Sequence, residues 1–146
     1  MPARPILAAH APIRVPADLS AQAIIGFSRA DQEELWNFPS GGHSVPVRLA
    51  PRALVTDANT AVGLAASGAG VTRVLSYQAE SALAAGQLVR LLADHEPLPL
   101  PVQLVTPETR PFSARLRAFA DIAAPAMRAT LARIETSATR ATEIAN

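Results

Sequence analysis

Residues Arg52 to Arg110 read RALVTDANTAVGLAASGAGVTRVLSYQAESALAAGQLVRLLADHEPLPLPVQLVTPETR, and this stretch decides the fold. Arg52 to Thr56 predicts a strand. Asp57 is placed to cap a helix over Ala58 to Ser67, its carboxylate accepting from the free N–H groups of the first turn. Gly68 and Gly70 end that helix. Val71 to Leu75 predicts a second strand, and Gln78 to Ala85 a second helix stopped by Gly86. Leu88 to Leu92 is apolar and suits either a strand or a helix. Glu96 to Pro101 is a proline-rich loop, and Val102 to Val105 predicts a strand ending at Pro107. Strands alternating with helices argue for a parallel or mixed sheet covered by helices.

Upstream, Ile6 to Ala9 suits a short strand among four prolines. Pro16-Ala17-Asp18-Leu19 looks like a helix entry leading into a turn. Ala23 to Ser28 is apolar and partly β-branched, which predicts a buried strand. Ala30 to Phe38 reads as a weak helix, with Glu33 and Glu34 outside and Leu35, Trp36 and Phe38 partly inside. Pro39 to Ser44 is a turn. Val45 to Leu49 alternates as a half-exposed strand, and Pro46 suggests an edge, because proline cannot donate to a ladder. The segments on either side of Gly41-Gly42 suit a hairpin arm. Downstream, Phe112, Leu116, Phe119, Ala123, Met127, Leu131 and Ile134 form one apolar stripe at helical spacing. Pro125 is expected to kink that helix. Residues 134–146 are expected to be a flexible tail, leaving 1–133 as the domain.

A length of 146 residues suits one domain. A hydrophobic content of 49% supports a packed core, and a net charge of +1 gives no polyanion footprint. All 13 basic residues are arginine. With so much alanine, that points to genome composition rather than phosphate recognition. The absence of cysteine excludes disulfides, thiolate catalysis and cysteine-based zinc sites. The N-terminal apolar run is cut by His10 and Pro12, too short for a signal peptide. No stretch approaches the roughly 18 apolar residues of a membrane span. A cytoplasmic protein with no membrane contact is the expectation.

Three segments resemble the effector-binding half of LysR-type transcriptional regulators. The first is Thr56-Asp57-Ala58-Asn59 running to Gly68-Ala69-Gly70-Val71. The second is Leu75-Ser76-Tyr77, a helix, then Ala85-Gly86-Gln87-Leu88-Val89-Arg90-Leu91-Leu92. The third is Pro101-Val102-Gln103-Leu104-Val105-Thr106-Pro107, followed by Arg110 and Arg117-Ala118-Phe119-Ala120-Asp121. Pro16 to Leu19 and Ile24 to Ser28 fit the same series, which covers roughly residues 4–133. The resemblance implies an α/β domain like the type II periplasmic binding proteins. It covers mainly the second lobe, the return crossover and the C-terminal helix. It implies a small-molecule effector held between two lobes. The winged helix-turn-helix, the linker helix and the start of the first lobe have no counterpart, so DNA contact is expected only through such an absent segment.

By position in that family, Ser28, Arg29, Thr56, Asp57, Asn59, Ser76 and Tyr77 would line the effector cleft. Helix N-termini after Thr56 and near Ser76 expose unpaired N–H groups suited to anions. Five of these residues also have a plainer role. Asp57 serves as a helix cap, and Ser28 and Ser76 serve in turns. Arg29 serves as a solvated surface cation, and Tyr77 as a core-edge aromatic. An ionised Asp57 facing the cleft would repel a carboxylate ligand. The stripe residues Leu116, Phe119, Met127 and Leu131 are expected to pack against a second copy as a homodimer interface, or to fold back on Leu88 to Val105. No Gly-x-Ser-x-Gly elbow, phosphate loop or His-Glu-x-x-His motif is present. His10, His43 and His95 are isolated. No catalytic set, metal site or cofactor is expected. A dimerisation or interaction module without effector binding remains the alternative.

Overall fold

The computed structural model describes residues 13–27, 34–106 and 113–143. Five strands and three α-helices are β1 (Ile24–Phe27), β2 (Glu34–Ser40), β3 (His43–Leu49), β4 (Pro51–Val55), α1 (Ala58–Ala66), β5 (Val71–Thr72), α2 (Ser76–Ala84) and α3 (Ala114–Glu143). A 3-10 turn at Pro16–Ala21 precedes β1, and another covers Ala93–His95. The expected strand at Ile6 to Ala9 lies outside the described residues.

Strands β4, β1 and β5 form a parallel sheet with β1 in the centre. The chain leaves β4, passes through α1 and returns on the far side of β1 as β5. Parallel neighbours require such a crossover, because a tight hairpin can only join antiparallel strands. Ile24 and Ile25 are both buried, and strand alternation sends them to opposite faces. Ile24 joins Leu19, Trp36, Phe38 and Leu49 in the main apolar cluster. On the Ile25 side α1 packs against β1, and Ala61 in its first turn is fully buried.

The expected helix over Ala30 to Phe38 is overturned for its described part. Glu34–Ser40 is a strand, paired antiparallel with His43–Leu49. Trp36 and Phe38 are buried while Leu35, Asn37 and Pro39 are exposed. That is a period of two, which a helix would scatter around its circumference. The Gly41-Gly42 turn has φ of 56° and 82°. Two successive left-handed residues fit the two-residue hairpin turns that match strand twist. Pro46 lies in this ladder opposite Asn37, in a two-stranded sheet where every strand is an edge.

Helix α1 ends as expected. The amides of Gly68 and Ala69 donate to the carbonyls of Ala65 and Leu64 at 2.9 and 3.0 Å. Gly70 then brings the chain against β1, where the Val71 amide donates to the Ala23 carbonyl at 2.8 Å. The strand expected over Val71 to Leu75 shortens to Val71–Thr72, and the Thr72 hydroxyl donates to the Ile25 carbonyl at 3.0 Å. Leu88 to Leu92 and Val102 to Val105 belong to no helix or strand. Among the described residues, no strand pairs with β5 on its outer side.

Helix α3 runs through Pro125 to Glu143. The tail expected from residue 134 is therefore helical over most of its length. Ile134, its first residue, is buried. The helix packs against α2, where Arg133 pairs with Glu80. Along α3, Met127 and Leu131 are half-buried, whereas Phe119 is 59% exposed and the neighbouring Ile122 is 75% exposed. No described helix is long and apolar enough to cross a membrane.

Candidate functional site

In an open parallel sheet, ligands bind beyond the carboxyl ends of the strands, where loops diverge to opposite faces. Here those ends are Phe27 of β1, Val55 of β4 and Thr72 of β5. Thr56 and Asp57 follow β4 directly, and both are exposed, as is Asn59 in the first turn of α1. Ser28 and Arg29 follow β1 in sequence and lie outside the described residues. Ser76 and Tyr77 open α2 after a three-residue link from β5, and both are exposed.

Asp57 is committed to α1. Its Oδ1 accepts from the Thr60 amide at 2.9 Å, and its Oδ2 accepts from the Thr60 hydroxyl. The Thr60 hydroxyl, then its amide, hold this carboxyl below the usual range. An anion approaching the α1 N-terminus therefore meets a carboxylate already in place. The α2 N-terminus differs. The Leu75 amide donates to Gln78 Oε1 at 2.9 Å, a neutral cap that leaves the positive end of the helix dipole uncompensated.

A cavity of about 1860 Å³ opens beside β5. Its wall includes Val71, Leu75, Leu91, Leu100, Met127 and Leu131. Ser76 and Tyr77 belong to this wall, whereas Thr56, Asp57 and Asn59 do not. The structure thus divides the expected effector residues into an α1 group at the sheet's end and an α2 group on the cavity.

Three features escaped the sequence reading. Arg52 and Arg73 add cationic groups to the cavity wall. The signal for Arg73 was its place directly after β5. Arg90 forms a bidentate pair with Glu96, its Nε donating to Oε1 at 2.6 Å and Nη2 donating to Oε2. That pair closes the six-residue span around the left-handed Leu92. Glu34 lies over Gly26, where a β-carbon would come within 2.8 Å of its Oε1. Its Oε2 accepts from the Trp36 indole N–H at 3.0 Å, and its Oε1 is buried without a hydrogen-bond partner. A Glu-x-Trp pair on one strand face was the available clue, hidden by the helical reading. Among the described residues, no group of His, Asp and Glu is clustered to hold a metal.

A family model described as LysR substrate binding domain matches residues 2–128. No curated protein matches the chain.

Proposed function

The chain belongs to the LysR substrate binding domain family, and from that premise we propose that it senses a small-molecule effector through residues at the carboxyl end of its parallel sheet. Domains of this family are effector-binding parts of transcription regulators, with the type II periplasmic-binding-protein-like fold seen here as a mixed α/β unit. The observation that carries the reading is the convergence of the β4–α1 junction with the end of β1. Phe27 at the end of β1 pairs with Val55, the residue before Thr56. Asp57 shapes this site as the α1 cap. Ser76 and Tyr77 serve the effector from the α2 side, where the uncompensated helix N-terminus favours an anionic group.

The domain acts without catalysis and without a cofactor, in the cytoplasm, as a homodimer. DNA is contacted through a helix-turn-helix outside the matched residues, consistent with a net charge of +1. A thermal-shift panel of small metabolites tests the effector reading. A saturable rise in melting temperature that disappears in the Thr56→Ala, Ser76→Ala double variant supports it. A flat response across the panel with an intact fold refutes it. A second reading, an interaction module without an effector, draws on the exposed Phe119 and Ile122 of α3.

A further inference from the structure

The segment after α2 divides into two parts that are held very differently. Leu92 is the one non-glycine among the described residues with a positive φ, 57°. Such a conformation persists only where the surroundings over-determine it. Here Leu92 packs against the cluster of Leu19, Ile24, Trp36, Phe38 and Leu49. The His95 amide closes the following turn on the Leu92 carbonyl at 2.9 Å. This first part belongs to the core.

The second part, Pro97 to Val105, is held by no such contacts. Among the described residues, no hydrogen bond or ion pair ties it to the rest of the chain. Leu98 and Val105 are 88% and 89% exposed. The segment is nonetheless stiff. Pro97, Pro99 and Pro101 fix their own φ and hold Glu96, Leu98 and Leu100 extended. Glu96 has φ of −71° and ψ of 142°. Proline-rich segments of this kind act as semi-rigid spacers rather than as coils. At its start, Glu96 pairs with Arg90.

That pair is suited to exchange. Its two side chains are 26% and 43% exposed, and ion pairs so placed contribute little and weaken with salt. The turn does not depend on it, because apolar packing fixes Leu92. Arg90 also feels a second carboxylate. Glu96 holds the guanidinium above its ordinary value, burial opposes this, and Glu135 on α3 adds to it. Arg90, Glu96, Leu98, Leu100 and Glu135 all lie on the wall of the cavity beside β5.

We propose that the Arg90–Glu96 pair is a latch, and that Pro97 to Val105 is a strap that pivots at Glu96 to narrow or widen this cavity. In the closed position Glu96 holds Arg90. In the open position Arg90 stays with Glu135, and the strap swings away as one stiff piece. The α/β core and the Leu92 turn are the same in both. Raised ionic strength, or an anion that competes for Arg90, favours opening. The device does not depend on what enters the cavity, so it stands apart from the effector reading.

The test uses the whole chain, which has no native cysteine. Nitroxide labels on Leu98→Cys and on Ala129→Cys, an exposed position of α3, report the strap's position as a distance distribution by pulsed electron resonance. Low salt is expected to give one main distance and a minor second one. Glu96→Gln is expected to raise the second population about two- to five-fold, the range for losing a partly exposed ion pair. Salt at about 1 M is expected to do the same in the labelled parent. Circular dichroism and melting temperature should not change. Glu80→Gln, which removes the ion pair to Arg133, is expected to leave the distribution as it was. A distribution identical in Glu96→Gln and the parent, or one that responds equally to Glu80→Gln, overturns the latch. A melting temperature lowered more by Glu96→Gln than by Glu80→Gln ties the strap to the core and overturns it as well. None of these measurements involves a metabolite, so the latch and the effector reading fail separately.

Discussion

A β-carbon on Gly70 would lie 2.1 Å from the carbonyl oxygen of Ala23. The same carbonyl accepts the Val71 amide at 2.8 Å, so the approach that forbids a side chain is the one that registers β5 against β1. Gly70 also has φ of +155°, a conformation side chains disfavour. Gly70→Ala must displace backbone and is expected to cost about 2–3 kcal/mol. Gly63→Ala on α1 meets nothing within 4 Å and is expected to stabilise by about 0.5–1 kcal/mol. Urea denaturation of the two variants checks the contrast. Equal midpoints would contradict it.

Gly26 gives an intermediate case. A β-carbon there meets Leu54 Cδ2 at 2.7 Å and Glu34 Oε1 at 2.8 Å, both near the ends of flexible side chains. Gly26→Ala is expected to destabilise less than Gly70→Ala. It should also shift the emission of Trp36, the single tryptophan, whose indole donates to that same glutamate. An unchanged spectrum would separate Gly26 from the Glu34–Trp36 pair.

Capping carboxylates set the acid limit of stability. Thr60 holds Asp57 below its ordinary value, and the amides of Val15 and Arg14, at 3.0 and 2.8 Å, do the same for Asp18. A carboxyl with a depressed folded pKa contributes stability above its unfolded value of about 4 and loses it as pH falls through the folded value. The melting temperature is expected to be flat between pH 7 and 5 and to drop below about pH 4. Asp57→Asn keeps a capping side chain while removing the titration. Its acid drop, followed by circular dichroism, should be shallower than that of the wild type.

Helix α3 is held by packing rather than by charge. The Arg133 and Glu80 side chains are 63% and 23% exposed. Exposed ion pairs of this kind are worth about 0–1 kcal/mol. Ile134, one residue on, is 5% exposed, and Ile→Ala at buried sites costs about 2–5 kcal/mol. Ile134→Ala is expected to lower the urea midpoint several times more than Glu80→Gln, with little effect of 0.5 M salt on either difference. A salt-sensitive loss in Glu80→Gln comparable to that of Ile134→Ala would reverse the ranking.

The α/β core was legible in the residues because its signals are local. Asp57 three residues before Thr60, the two glycines after Ala66 and the β-branched run at Ile24 each act within one turn or one strand. They needed only backbone geometry and apolar burial to be read. The hairpin was half legible. Gly41-Gly42 announced its turn, but Trp36 and Phe38 suit either period over so short a run. The choice fell to Leu49, Val47 and Leu19, whose buried surface rewards a strand. The expected effector residues fall into two groups: Thr56 follows the end of β4 with Asn59 in the first turn of α1, while Ser76 and Tyr77 belong to the cavity wall.

By itself, the sequence determined the alternation of strand and helix from β4 to α2, the capped start of α1, the glycine-driven return to β1 and the resemblance to the LysR effector domain. Tertiary structure alone decided that Leu88 to Leu92 and Val102 to Val105 remain outside any ladder, and that along the α3 stripe Ile134 is buried while Phe119 stays exposed. The physical reason is the reach of the interactions. Caps and turns are settled between near neighbours in the chain. A strand without a sheet edge, or an apolar helix face without a covering surface, is settled by what distant segments bring beside it.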